Sequence, residues 1–379
     1  MPDLAPLLTP DRHELVELVR DLHSQASPWI PSGLGNHLHW GPQAQIQSSV
    51  LSLRGHNQVL EHATGDFTVT VEAGMPLGEL QAVLAEQGQW LPIDPPLAGP
   101  SSIGGVVARG VSGPLRHKAM GLKDQVIGIS LLRSDGTTAQ AGGQVVKNVA
   151  GYDLMRLLSG SWGSLALITQ LTLRTQPLPG HRQCFAVQGA LPALQKLRQN
   201  LLLHSPLALE RLEWRHHAGE INLWLSLVSL NPEGLQQQQE QLKASLAPEL
   251  NLQPLDWEPN PEVVEQGAWM LRIGVEPQRA GALLGLAAIK PWTLQLGAAS
   301  GLGLATGQAA SHQVANLRRH CESLGGYLTV LQAPPQGQKI QAWGDAPARP
   351  IIEAVKRQFD PLQQLSRGRL PGVQAALTT

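Results

Sequence analysis

Apolar positions near the start of the chain recur at helical spacing. Leu15, Leu18, Val19 and Leu22 share one face, with Thr9 as a cap and Pro10 in the first turn, and this predicts a helix opening at Thr9. The stretch PSGLGNHLHWG, residues 31–41, interrupts that pattern with glycine. Beyond it the chain reads as short strands separated by Gly and Asn turns, and TVTVEAG alternates with period two. Helical spacing returns in MPLGELQAVLAEQGQWLP, where Leu77, Leu80, Val83 and Leu84 recur between Pro76 and a capping Gly88. A second glycine- and serine-rich stretch, GPSSIGGVVARGVSG, follows. DQVIGISLLRSDGTTAQAGG then reads as strand with a turn at Asp135 and Gly136. GYDLMRLLSGSWGSLALITQLTLRTQPLP predicts a short helix, a Gly-Ser turn and a strand. Pro177, Pro179 and Gly180 place a domain boundary near residue 180.

The second half alternates strands and helices without further glycine loops. EINLWLSLVSL, WMLRIGVEP, WTLQLGAASGLGLATG and YLTVLQAP read as strand, and EGLQQQQEQLKASL, QRAGALLGLAAI and SHQVANLRRHCESLGG as helix. The run Gln236 to Gln239 reads as a solvated helix face. PIIEAVKRQFDP predicts a last helix before the basic tail SRGRLPG. The expected architecture is α+β: a first domain over 1–180, an α+β domain over 181–345, and a C-terminal helix and tail over 346–379.

Composition narrows the function. With 42% hydrophobic residues the chain can bury a sizeable core, and 28 basic against 29 acidic residues give a net charge of −1. Bulk attraction to nucleic acid or to an anionic bilayer is therefore not expected. No apolar run reaches about 18 residues, and the first residues lack a secretory pattern, so the expected location is cytoplasmic, with peripheral membrane association left open. Cys184 and Cys321 give neither a disulfide framework nor a zinc spacing, and two cysteines cannot ligate an iron–sulfur cluster.

The glycine-rich stretches carry the candidate chemistry. Glycine lets successive backbone N–H groups converge on one point, making an anion-binding nest for phosphate or pyrophosphate; the plainer alternative is a set of turns. Neither the G-x-x-x-x-G-K-[ST] loop nor a G-x-G-x-x-G between strand and helix is present, so the common phosphate fingerprints do not apply.

The ordered set PSGLGNHLHWG, VEAGMPLGELQAVLAEQGQWLPIDPP, SSIGGVVARGVSGPLRH, LKDQVIGISLLRSDGT and KNVAGYDLMRLLSGSWGSLALIT resembles FAD-linked oxidases of the vanillyl-alcohol oxidase and p-cresol methylhydroxylase type over about residues 5–180. Within that superfamily, VVKNVAGYDLMRLLSGSWGSL, LRRHCESLGGYLTVLQAP, AWGDAP and VKRQFDP are similar to the FAD-binding E subunits of bacterial glycolate oxidases, and extend the resemblance through the chain. The resemblance implies a two-subdomain FAD-binding fold with a C-terminal α+β cap domain, the last helix and tail returning to the FAD domain. It implies noncovalent FAD, with Ser32, Gly33, Leu34, Gly35, Asn36 and His37 wrapping the pyrophosphate. Ser101, Ser102, Gly104, Gly105, Ser112 and Gly113 would form a second wall. Gly163 and Ile168 would lie near the adenine side or the flavin edge, Pro92 in a turn close to the cofactor, and Arg116 on a phosphate or carboxylate, with an exposed arginine as the alternative. The implied activity is oxidation of glycolate, a 2-hydroxy acid, to glyoxylate, with partner flavoprotein and iron–sulfur subunits.

Leu34 stands where the family usually keeps a third glycine, and the tail lacks the family's asparagine and proline. His37 and His39 raise flavin tethering or a metal site, against the simpler reading as loop histidines; the spacing lacks the further Cys, Asp or Glu a metal needs. The His-Gly-His-x-Gly-Asp type motif of related D-2-hydroxy-acid dehydrogenases is absent, and the histidines of the second half are scattered, with His312 and His320 on one predicted helix. No catalytic base is named. Lys147, Asn148, Tyr152 and Asp153 are the polar residues closest to the cofactor motifs, with a structural turn as the alternative. Two other classes stay open: a self-sufficient FAD-dependent 2-hydroxy-acid dehydrogenase, and a scaffold that has lost its flavin.

Overall fold

The period-two stretch TVTVE forms the strand Thr68–Glu72, with Val69 and Val71 buried, in a computed structural model that describes residues 6–42, 48–97, 99, 101–143, 152–256, 267–335 and 340–374. This strand is second in a five-stranded antiparallel sheet ordered Val59–Ala63, Thr68–Glu72, Leu167–Arg174, Val126–Leu132, Thr138–Gly142. The last two strands are the hairpin expected around Asp135 and Gly136. Gly136 has φ +78°, and Asp135 Oδ1 accepts the Thr137 N–H at 3.0 Å.

The helix Leu77–Ala85 follows the pattern read for it, with Pro76 as N-cap, Gly88 at φ +66°, and Leu77, Leu80 and Leu84 buried. The first helix does not. It spans Leu15–Ser24 and opens after a turn in which the Asp11 carbonyl accepts the N–H of Glu14 and Leu15, so neither Thr9 nor Pro10 lies at its start. Its apolar face is as expected, with Leu15, Val19 and Leu22 buried. A small parallel sheet, ordered Leu7–Leu8, Ser49–Ser52, Trp29–Ser32, launches the first glycine loop from the end of Trp29–Ser32.

Contacts divide the chain into two units. The first comprises Met1–Val111, Gly121–Pro177 and Gln341–Thr379; the second comprises Ser112–Met120 and Leu178–Ile340. The core of the first unit includes Trp29, Leu80, Leu84, Ile103 and Leu171. Each such side chain contributes roughly 1.5–3 kcal/mol on burial.

The C-terminal helix Arg349–Phe359 brings a buried polar clamp to this unit. Lys356 Nζ donates to Asp360 Oδ2 at 2.5 Å, to the Ser164 carbonyl at 2.7 Å and to the Leu365 carbonyl at 2.9 Å. Asp360 in turn accepts the N–H of Gln364 and Leu365. The tail then runs beside Trp29, whose carbonyl accepts the Ser366 N–H at 3.0 Å.

The second unit is an eight-stranded antiparallel sheet ordered Asn251–Leu255, His181–Gln188, Glu220–Ser229, Leu209–His217, Thr293–Gly297, Leu302–Gly307, Trp269–Gly274, Tyr327–Gln332, with helices that include Leu191–Leu203, Pro232–Ala244 and Ser311–Ser323. Four of these elements, Asn251–Leu255, His181–Gln188, Leu191–Leu203 and Leu209–His217, were not legible in the pattern. In the last, Leu209 through Trp214 are buried in succession although Glu210, Arg211 and Glu213 are charged, so the polar positions do not mark an exposed face. Ion pairing makes that burial tolerable: Arg182, on another strand, donates Nε to Glu210 Oε2 at 2.6 Å, and Arg215 of the same strand pairs with Glu213 at 3.1 Å. Gln238 also departs from the solvated face assigned to it. Its amide donates to the Val228 carbonyl and accepts the Ala208 N–H, tying its helix to the sheet.

Candidate functional site

Three segments of the first unit converge on one cavity. In the first, Ser52 Oγ donates to the Gly33 carbonyl at 2.7 Å and anchors the loop that leaves strand Trp29–Ser32. A Cβ at Gly33 would overlap the Ser102 side chain, and Gly35 lies in the left-handed region at φ +83°. The Gly35 carbonyl accepts the Leu38 N–H and the His37 carbonyl accepts that of Trp40, which closes the loop on itself. Among the described residues, the backbone N–H groups of Leu34, Gly35 and His37 have no acceptor within the protein.

The second segment is the short helix Ile103–Arg109, whose N-cap Ser102 accepts the Gly105 N–H at 3.3 Å. The Ile103 and Gly104 N–H groups bond to the carbonyls of Met75 and Ala73, both at 2.8 Å. A Cβ on Gly104 would sit 2.7 Å from the Ala73 carbonyl oxygen, so glycine is what lets this wall close. The third segment surrounds Gly163, at φ +67°. It is held by the Trp162 N–H on the Ala108 carbonyl, and the tail's Ser366 Oγ donates to the Gly163 carbonyl at 3.1 Å.

The cavity brings together Ser32, Gly33, Leu34, Gly35, Asn36 and His37 from the loop, Ser101, Ser102, Gly104 and Gly105 from the second wall, and Gly163 and Ile168 from the third. Pro92, Ser112, Gly113 and Arg116 do not line it. Ser112–Met120 groups with the second unit, where helix Arg116–Ala119 packs against strand Leu209–His217. The helix of this wall ends at Gly110, its left-handed C-cap at φ +62°. Pro92 is buried beside Leu91, whose N–H and carbonyl are both held by the Gln81 side chain. Tyr152 is exposed, and Asp153 caps the helix Leu154–Leu158 while pairing with Arg156 at 3.1 Å, a structural use of that turn. Lys147 and Asn148 lie outside the described residues.

The two arginines of the lining, Arg109 and Arg369, escaped the sequence reading. Both are buried, and burial pushes each guanidinium down to about 10, still far above neutrality. Arg109 lies over the Trp40 ring at 4.8 Å and Arg369 over Trp162 at 5.7 Å. A signal existed for Arg109: it is the lone charge in the small and apolar run GGVVARG. His37 is pushed down to about 3 by burial, with Arg109 and His39 adding to the effect, so its imidazole is neutral at pH 7. Among the described residues that line the cavity there is no Asp or Glu. Among the described residues, no group of three or more His, Cys, Asp or Glu is placed to hold a metal ion.

Unspent backbone donors, two buried cations and no carboxylate suit an anionic ligand such as a dinucleotide pyrophosphate. In agreement, residues 7–142 match the FAD binding domain family. That part of the first unit is thus similar to an FAD-binding domain, and the chain has the fold of the vanillyl-alcohol oxidase and p-cresol methylhydroxylase type.

Among characterised relatives, glycolate oxidase subunit GlcE of Escherichia coli is 33% identical over 166 residues, which cover 44% of this chain and 47% of that protein. D-2-hydroxyglutarate dehydrogenase of Xanthomonas citri is 34% identical over 197 residues, covering 52% of this chain and 41% of that one. The matches thus span half or less of these relatives' length. A solved structure of alkyldihydroxyacetonephosphate synthase shares the fold with a TM-score of 0.67 at 14% identity, covering 95% of this chain and 75% of that one. Among the described residues, no helix is long and apolar enough to cross a membrane.

Proposed function

We propose that the cavity holds FAD noncovalently and that the chain is the FAD-binding subunit of a glycolate oxidase or dehydrogenase complex, oxidising a small 2-hydroxy acid. The observation that carries the reading is the acid-free cavity with free N–H donors at Leu34, Gly35 and His37, built from segments within and beside the family match. Bound flavin supplies a two-electron acceptor for the hydride of an alcohol carbon. The chain's own part is to hold and orient it. The 33–37 backbone and the Ser101–Gly105 wall would embrace the phosphates, and the tight Gly104 contact fixes the spacing between that wall and the 73–75 segment. Neutral His37 adds no positive charge, so the positive charge of the site comes from arginine. In this reading residues 1–180 form the cofactor domain, 181–345 the cap domain, and 346–379 return to the cofactor domain.

The relatives support partner chains, since one of them is a subunit by name. With only two cysteines, both buried and both with thiols pushed up by burial, to about 11 for Cys184 and about 12 for Cys321, electrons would leave through an iron–sulfur cluster on another chain. The similarity to D-2-hydroxyglutarate dehydrogenase favours a second reading, a self-sufficient dehydrogenase.

The two are separated by anaerobic titration of the FAD-loaded chain with glycolate and with D-lactate. The proposal expects the flavin absorbance to persist with the chain alone and to bleach once partner subunits are co-purified. Bleaching of the isolated chain selects the second reading, and no bleaching in the complete complex by either acid overturns both.

A further inference from the structure

We propose that Arg109 and Arg369 neutralise the two phosphates of the dinucleotide, so that this chain grips its cofactor by charge at the phosphate end and binds ADP there without a flavin ring. The inference rests on the FAD reading above and adds to it the side chains that carry the charge.

Both residues are more than nine-tenths buried, at 8% and 5% exposure, and among the described residues neither guanidinium meets a carboxylate. Arg109 donates Nε to the Gly105 carbonyl at 3.2 Å and Nη2 to Ser101 Oγ at 3.0 Å, and its Nη1 has no partner. Arg369 donates Nη1 to the Leu38 carbonyl at 3.1 Å and Nη2 to the Trp40 carbonyl at 2.5 Å, and its Nε has no partner. Carbonyls and a hydroxyl satisfy donors without cancelling a charge.

Arginine is seldom buried unless paired. More exposed arginines of this chain do take a carboxylate: half-buried Arg182 holds Glu210 in a two-pronged pair, and exposed Arg12 holds Glu72 in another. Arg109 and Arg369 are buried with carbonyls and a hydroxyl in place of a carboxylate, and both line one cavity, brought there from distant parts of the chain. Their stacking on Trp40 and Trp162 fixes the guanidinium planes and leaves the charge uncancelled. Each phosphate of a dinucleotide carries one negative charge, so two cations and the free N–H groups of Leu34, Gly35 and His37 match it in charge and in donors.

The test uses the full-length protein stripped of flavin and measures equilibrium binding of FAD, ADP, adenosine and riboflavin by calorimetry. The wild type is expected to bind FAD and ADP, with adenosine at least about 100-fold weaker than ADP. Arg109→Met and Arg369→Met should each weaken FAD and ADP by about 10- to 100-fold and leave riboflavin unchanged. Arg109→Lys and Arg369→Lys should recover part of the loss, because charge returns without the planar fork. Circular dichroism shows whether the methionine variants fold, and the ADP-against-adenosine comparison needs no variant. Wild type that binds FAD but takes adenosine as well as ADP overturns the inference, as do folded methionine variants with unchanged ADP affinity. Failure of the wild type to bind either FAD or ADP would instead strike the FAD reading itself.

Discussion

Replacing Lys356 with methionine is expected to destabilise the first unit severely, and the reason lies in how the tail is tied down. The ammonium sits among the Asp360 carboxylate and the Ser164 and Leu365 carbonyls, and Asp360 is fully buried. Methionine fills much of the volume but leaves that carboxylate without a countercharge. Breaking one side of such a pair costs about 3–5 kcal/mol. With a urea slope of about 3 kcal/mol/M, a loss of about 4 kcal/mol moves a midpoint by roughly 1.3 M. Because the clamp lies wholly within one of the two units, urea unfolding followed by intrinsic fluorescence should show one transition shifted and the other unmoved. The double variant Lys356→Met, Asp360→Leu removes both charges and should regain most of the loss. A shift below about 0.5 M in the single variant, or a double variant no better than the single one, would refute this account.

Gly35→Val should lower FAD affinity by at least about tenfold, because φ +83° is costly for a β-branched residue, while Gly35→Asn should be milder since asparagine tolerates the left-handed region. The nearest atoms to a Cβ there are 3.7 Å away, so equal losses in both variants would point to crowding instead of backbone strain. His37 titrates near 3 when folded and near 6.5 when unfolded, so the unfolded chain takes up a proton that the folded chain refuses in that window. Stability should therefore fall as pH drops below about 6.5, and His37→Asn should flatten the melting-temperature profile between pH 7 and 4; parallel profiles would contradict the assignment. Cys184 and Cys321, buried and with thiols pushed to about 11 and 12, should resist thiol reagents in the native protein and react on unfolding, and rapid native labelling of either would count against their placement.

The cavity was legible where chemistry follows local sequence. Gly33, Gly35, Gly104 and Gly163 each announce a place where backbone turns left-handed or passes close to a neighbour, and all four line the cavity. What stayed hidden depends on distant closure. Arg369 acquires its place from bonds to Leu38 and Trp40, more than three hundred residues away, and in the sequence it is only part of a basic tail. Ser112, Gly113 and Arg116 show the reverse: they follow the glycine wall directly, yet group with the second unit. The strand Leu209–His217 was missed because paired charges occupy positions that alternation reserves for apolar residues. Local spacing reports backbone geometry well, and reports poorly on side chains whose partners arrive from elsewhere in the chain.

The most direct test of the central claim is stoichiometric: purify the full-length chain alone, incubate it with excess FAD, remove the unbound flavin and compare flavin absorbance with protein concentration. The cavity as described predicts about one FAD per chain, released intact on denaturation as expected of noncovalent binding. A protein that stays folded and retains no FAD would contradict it.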